Sequence, residues 1–155
     1  MKPFIPLPLI HSWPLFEQGR HFDLGCVAGG TGIAPFDNDI DSPMLARLGV
    51  GAWECELPGD RLIWSSVVYD LFGLPHDARL SRREIVGLYC EPSRAAMEAL
   101  RTYALKHHRG FTLDAEIQPV TGERRWMRLV TAPICEGGKV VRLRGLKRDV
   151  THEYR

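Results

Sequence analysis

The sequence predicts an α+β domain built on an antiparallel sheet. Three observations carry this expectation. Segments with strand character lie at both ends of a helical middle instead of alternating with helices, which excludes a parallel βαβ arrangement. Those segments follow one another through short turns, Pro58-Gly59-Asp60, Thr121-Gly122 and Gly137-Gly138, and strands joined so closely run antiparallel. The length, 155 residues, is that of one ordinary domain and suffices for a core without disulfides or metals.

The first 43 residues read as a Pro/Gly-rich leader, either flexible or docking, ahead of a domain over 44–155. The leader holds six of the eleven prolines. Prolines up to Pro14 prevent a helix, and Gly25, Gly29, Gly30 and Gly32 favour loop. Gly29-Gly30-Thr31-Gly32 lacks the Gly-Lys-Ser/Thr ending of a phosphate-binding loop. Phe4, Trp13, Phe16 and Phe22 exceed what a linker needs and are candidates to dock on the domain or on a partner.

A short helix is expected after Ser42, with Pro43 at its first position and Gly49 past its end. Residues 50–57 and 61–64 read as a hairpin. Ser65 is placed to cap a helix over 66–72, which Gly73 and Pro75 stop. Ser81-Arg82-Arg83-Glu84 fits a capping box, with Leu80 and Ile85 as its hydrophobic staple. That helix is short. Pro92 then opens a longer one to about His108, where Met97, Leu100 and Ala104 recur on one face and Gly110 marks the end.

The last third is β. Phe111, Leu113, Ala115 and Ile117 alternate with Thr112, Asp114, Glu116 and Gln118, the pattern of a strand with one buried face. Two further strands are expected over 125–135 and 139–150.

Charge and cysteine content narrow the function classes. Lys plus Arg is 20 and Asp plus Glu is 19, a balance that excludes nucleic-acid binding by bulk positive charge. The charge is split: residues 1–43 carry two basic and five acidic residues, and 44–155 carry eighteen and fourteen. The opposite signs suggest that the leader folds back on the domain. Cys26, Cys55, Cys90 and Cys135 are at least 29 residues apart, so no metal-binding or redox pair of cysteines is spelled out. Four reduced thiols, no signal-peptide pattern and no long apolar run point to a cytoplasmic protein without a membrane span. No nucleophile elbow, metalloprotease motif or nucleotide-binding loop is present, so no catalytic residue, metal site or enzymatic activity is expected.

The motifs then converge. Gly49-Val50-Gly51-Ala52-Trp53-Glu54-Cys55-Glu56-Leu57, Ile63-Trp64-Ser65 and Tyr69-Asp70-Leu71-Phe72-Gly73-Leu74-Pro75 resemble the start of a PAS domain, of the fold-3 type found in bacterial signalling proteins. Phe111-Thr112-Leu113-Asp114-Ala115-Glu116, Gly122-Glu123-Arg124-Arg125-Trp126-Met127, Leu143-Arg144-Gly145 and Asp149-Val150-Thr151 follow in the order and spacing of that family. The resemblance covers residues 45–153. It implies a five-stranded antiparallel sheet with helices packed on one face, and a ligand cavity between them.

It also implies a sensor that signals through its C-terminal Asp-Val-Thr junction, or a ligand-free module that pairs as a homodimer or with another PAS domain. The expected effector is a histidine kinase, as in a two-component system, or a diguanylate cyclase. The length leaves room for a sensor without an output domain, so action through a partner is expected, with neither nucleic acid nor membrane involved.

The candidate cavity residues are Tyr69, Leu88, Tyr89, Met97, Phe111, Leu113 and Lys147. Asp149 and Thr151 match the signal-transmission motif, with Trp53, Glu54 and Trp126 as candidates around the junction. Lys147 shares strand parity with Leu143 and Gly145. If that face meets the cavity, its charge favours an anionic ligand or an acid; the alternative we favour here is that its stem carries the charge to solvent. Haem and flavin are both disfavoured. His107 and His108 sit in a last helical turn, explained by the helix dipole, and the surroundings of Cys90 do not match a photoactive cysteine motif. Cys90 precedes a helix N-terminus, which would raise its thiolate character slightly. Arg142, Arg144, Lys147 and Arg148 make a basic strand, with Arg124, Arg125 and Arg128 on its expected neighbour, and Asp114 and Glu116 can pair with these arginines across strands.

Overall fold

The computed structural model describes residues 7–22 and 40–155. The chain folds as an antiparallel sheet with helices packed against it. The strands are β1 (Ile10–Pro14), β2 (Val50–Glu56), β3 (Arg61–Trp64), β4 (Arg109–Ile117), β5 (Arg125–Glu136) and β6 (Lys139–Asp149). Their order across the sheet is β1-β4-β5-β6-β2-β3, and every pairing is antiparallel. The helices are α1 (Gln18–His21), α2 (Pro43–Arg47), α3 (Ser66–Phe72), α4 (Arg82–Val86) and α5 (Glu91–His107), with 3-10 turns at Leu15–Glu17 and Thr151–Glu153.

The sheet has six strands where the resemblance implied five. The extra one, β1, comes from the leader and pairs with β4 in register Ser12↔Phe111 and Trp13↔Gly110. Pro14 ends an edge strand, where its missing N–H costs no ladder bond. Trp13 is fully buried and donates its indole N–H to Thr112 Oγ1 at 3.1 Å. Phe22 is buried beside it, whereas Phe16 is exposed. Phe4 and the Gly29–Gly32 stretch lie outside the described residues.

Alternation along the strands gives the sheet two apolar faces. On the inner face α3, α4 and α5 cover a cluster that includes Trp53, Trp64, Phe72, Tyr89, Met97, Phe111 and Leu143. On the outer face Val50, Ala52, Val130, Ala132 and Leu146 are covered by Trp13 and Phe22 from the leader and by Leu45 of α2. The leader segment is therefore held by aromatic burial as well as by strand pairing.

Several helix signals are used differently from their sequence reading. Ser42 caps α2 through Leu45 N–H, and Gly73, at φ +69°, closes α3. Ser65 does not cap α3; its hydroxyl accepts from Ala52 N–H at 2.9 Å. Asp41 takes over, accepting from both the N–H and the hydroxyl of Ser66. Ser81 makes no side-chain cap bond on α4, although Leu80 and Ile85 both reach the inner core. The long helix ends at His108, which adopts φ +53°. Gly110 lies one residue inside β4, where a Cβ would run into the ring of Trp13.

Candidate functional site

The register of the sheet builds the site. One rung runs across five strands on the inner face: Trp64 faces Trp53, Trp53 faces Gly145, Gly145 faces Thr131, and Thr131 faces Phe111. Gly145 contributes no side chain to this rung. A Cβ there would meet the Trp53 indole nitrogen at 2.8 Å, so the glycine is what lets the indole lie close to β6. The rungs on either side bring Cys55 opposite Leu143, and Leu129 opposite Lys147.

Here the sheet and helices line a partly open cavity of about 60 Å³, to which Arg82, Ile85, Tyr89, Met97 and Arg101 contribute from the helical side. At about 30 Å³ per water, that is room for two waters. Its lining is mostly apolar, yet several polar groups are stranded in it. Trp53 Nε1, Trp64 Nε1 and Thr131 Oγ1 are buried and have no hydrogen-bond partner among the described residues. All three residues line the cavity. Buried donors left unpaired cost about 1–3 kcal/mol each, so their gathering in one place calls for a reason.

Lys147 completes the group. It is 6% exposed and lines the same cavity, so its stem does not carry the charge to solvent. Nζ stands 5.1 Å from the Trp53 ring centre, 5.6 Å from that of Trp64 and 5.0 Å from that of Phe72. Burial pulls its pKa down to about 7, with Cys55 opposing and Arg82 adding to the fall. Ring faces stabilise an ammonium, but no carboxylate lines this cavity among the described residues. The acids nearby are engaged elsewhere: Glu98 pairs with Arg82, and Asp60 pairs with Arg101 at 2.9 Å. Burial also pushes up the Tyr89 hydroxyl, and burial followed by Asp60 pushes up the Cys55 thiol. Both are neutral at pH 7.

Of the residues expected at the cavity, Tyr89, Met97, Phe111 and Lys147 line it. Tyr69, Leu88 and Leu113 do not; they pack in the inner cluster around it, Tyr69 edge-on to Trp64 at 5.2 Å. Trp64, Thr131, Cys55, Arg82 and Arg101 line it without having been picked out. Strand parity marks Thr131 as an inner residue, but only the register shows that Gly145 stands between it and Trp53.

The residues present do not fit a haem or a photoactive flavin. Ligand pockets of such size need some 300–1,000 Å³. His107 and His108 are exposed at the end of α5. Cys90 is half-buried outside the cavity, and burial, then Glu116, raises its pKa, so its thiolate character is lowered, not raised. No cluster of three or more His, Cys, Asp or Glu suited to a metal occurs among the described residues.

The strand that carries Lys147 ends two residues later at Asp149. Asp149 Oδ1 accepts from Thr151 N–H at 2.8 Å, and Thr151 Oγ1 accepts from Trp126 N–H at 3.0 Å. Val150 N–H donates to the Trp126 carbonyl at 2.8 Å. The junction therefore ties the end of β6 to the start of β5. Trp53 and Glu54 do not surround it. The β2–β6 register sets them opposite Gly145 and Arg144, in the middle of β6.

Beyond the junction the chain returns to the outer face. Arg128 holds Asp114 with two bonds of 2.8 Å, and Tyr154 donates to the same carboxylate at 2.5 Å. Glu153 pairs with Arg128 at 3.1 Å. Hydrogen bonding to Asp114 holds the guanidinium pKa up. The basic face is thus partly paired internally through Asp114, as the alternation suggested, whereas Glu116 pairs with Arg155 at 3.6 Å instead of with a sheet arginine.

No protein-family model matches the chain, and no curated protein does. Solved structures do. An N-terminal domain of a diguanylate cyclase with a PAS/PAC sensor from Marinobacter aquaeolei is similar over 67% of this chain and 97% of its own length, at 15% identity and a TM-score of 0.62. A sensory box histidine kinase/response regulator from Burkholderia thailandensis is similar over 70% of this chain and 82% of its own, at 17% identity and a TM-score of 0.62. An RNA-binding light-oxygen-voltage receptor is similar over 68% of this chain at 17% identity and a TM-score of 0.60, and there the match spans 30% of the receptor structure's length. The fold is that of a PAS domain. No helix among the described residues is long and apolar enough to cross a membrane.

Proposed function

We propose that the chain is a non-catalytic, cytoplasmic sensory module that binds a small ligand between sheet and helices. It relays occupancy through the Asp149-Val150-Thr151 junction to a signalling partner, such as a histidine kinase or a diguanylate cyclase. One observation supports this reading above the others. The unpaired buried donors cluster around β6, the strand that ends in the junction. A ligand that satisfies them acts on Lys147, two residues from Asp149.

The test combines thermal shift against a metabolite library with amide hydrogen exchange. The expected result is a compound that raises the melting temperature and slows exchange at Trp126 and Thr151. Failure of the whole library to shift the melting temperature counts against ligand binding. Binding that leaves both amides unchanged overturns the relay.

A second reading is a ligand-free pairing module, dimerising with itself or with another PAS domain. The small volume of the cavity, about 60 Å³, favours it. Sedimentation showing a tight dimer, together with no response to the library, would select this reading.

A further inference from the structure

The stranded groups have a chemistry in common. The Trp53 and Trp64 indoles can only donate, a lysine ammonium can only donate, and the Thr131 hydroxyl can do either. Arg82 and Arg101 add two further cations at the cavity wall, each already paired with an acid behind it. No lining carboxylate competes for these donors among the described residues. An occupant that only donates, such as an ammonium or an amine, would leave the two indoles unsatisfied. An apolar occupant would do the same and would leave the lysine unneutralised.

A carboxylate offers about four acceptor positions and one negative charge. It answers Lys147, Thr131 and both indoles together. The cavity sets the size, since about 60 Å³ holds an anion of one or two carbons, and the apolar surface of Phe111, Met97 and Leu143 suits a short alkyl end.

We propose that the cavity over Gly145 binds a short-chain monocarboxylate, held by Lys147, Thr131 and the indole N–H groups of Trp53 and Trp64. This rests on the ligand-binding reading above and names the ligand class. It also carries a proton linkage. Lys147 is the group in the site that changes charge near neutral pH, at about 7 in the free protein. Facing it in the cavity lining are Cys55 from β2, Arg82 from α4, Tyr89 after α4 and Arg101 from α5. The Cys55 and Tyr89 pKa values are raised, and a guanidinium is not deprotonated in proteins. Only the ammonium neutralises the anion, so binding takes up a proton when Lys147 starts as the amine. Affinity therefore falls up to about tenfold per pH unit above the free-state pKa.

The experiment titrates the full chain with sodium formate and sodium acetate at constant ionic strength, at pH 6 and pH 8.5. Calorimetry and tryptophan fluorescence both report, because two of the four tryptophans line the site. Acetamide, of the same shape without the charge, is the control. The expected result is saturable acetate or formate binding at pH 6, weakened at least tenfold at pH 8.5, with acetamide inert. Lys147→Met abolishes it, and Thr131→Val, which keeps shape, weakens it several-fold.

Equal binding of acetate and acetamide overturns the anion assignment, and so does binding that survives Lys147→Met. If the anions fail while another compound of the library binds, the ligand class is wrong and the sensor reading stands. If nothing binds, both fall. Should Lys147→Met misfold, the pH dependence and the Thr131→Val titration still decide.

Discussion

On the outer face of the sheet Asp114 is 1% exposed and fully engaged, by two bonds from Arg128 and one from Tyr154. On the inner face Lys147 is 6% exposed and, among the described residues, makes no ion pair, its Nζ standing 5.0–5.6 Å from three ring centres. Each face buries a charge, one with partners supplied by its own chain and one without. A carboxylate met by a guanidinium fork and a phenol is finished structure, which fastens β4, β5 and the C-terminal turn together. An amine beside indoles and a hydroxyl that have no partner among the described residues is not fastened by its own chain. Groups of that kind gather where a protein does its work, which is why the two faces are assigned different roles.

The largest expected effect comes from breaking the finished side. Asp114→Ala leaves Arg128 without its main partner and Tyr154 without an acceptor. Loss of one partner of a buried ion pair costs about 3–5 kcal/mol. The lower end is expected here, because the Arg128 side chain is 20% exposed and can turn toward water. Urea unfolding of the variant measures it. A loss below about 1 kcal/mol, the range of surface pairs, would remove the contrast between the faces.

The opposite sign is expected on the inner face. Lys147→Met replaces an unpartnered buried amine with an apolar chain of similar length, and stability at pH 6 should rise by about 1–4 kcal/mol. The folded pKa is about 7, below the unfolded value of about 10.4. Below pH 7 both states hold the proton and the penalty is complete. Between about pH 7 and 10 the unfolded state binds more protons, so wild-type stability gains up to about 1.4 kcal/mol per pH unit. The advantage of Lys147→Met should therefore shrink over that window. Parallel urea curves at pH 6 and pH 9 measure the difference, and a constant advantage would show that Lys147 is not a buried titrating amine.

Much of the fold was legible because local chemistry agreed with it. The alternation from Phe111 to Gln118, the turns at Gly59, Gly122 and Gly137, and the stop at Gly73 each act within a few residues. What was not legible depends on distant partners. β1 is hidden behind Pro8 and Pro14, and its pairing spans about a hundred residues. Gly110 looks like a helix stop until Trp13 is laid over it. Ser65 has the right residue type for a cap, but Asp41 from the leader reaches the helix end first.

The site followed the same division. Parity placed Lys147 on the side of Leu143 and Gly145, yet whether its stem escapes to solvent depends on how α3 closes over it. Gly51 decides part of that, because a Cβ there would meet Val68 of α3. Trp64 and Thr131 become site residues only when the register sets Trp64 opposite Trp53 and Thr131 on the far side of Gly145.

The smallest effect expected lies where the faces meet. Thr151 follows the strand that holds Lys147, and Glu153 and Tyr154 just beyond it reach Arg128 and Asp114. Thr151→Val keeps the shape and removes the acceptor of Trp126 N–H. Trp126 is half-buried, so water can replace part of the bond, and the loss should be about 1 kcal/mol. Asp149 still accepts from residue 151 N–H, so the turn itself should survive. Exchange at the Trp126 amide should quicken while the amides of Leu129 and Thr131, deeper in β5, keep their rates. If occupancy of the inner cavity is relayed through this bond, ligand no longer slows exchange at Trp126 in the variant, although its affinity is unchanged. A variant that still shows the ligand effect at Trp126 would move the relay from the Thr151 side chain to the backbone ladder between β5 and β6.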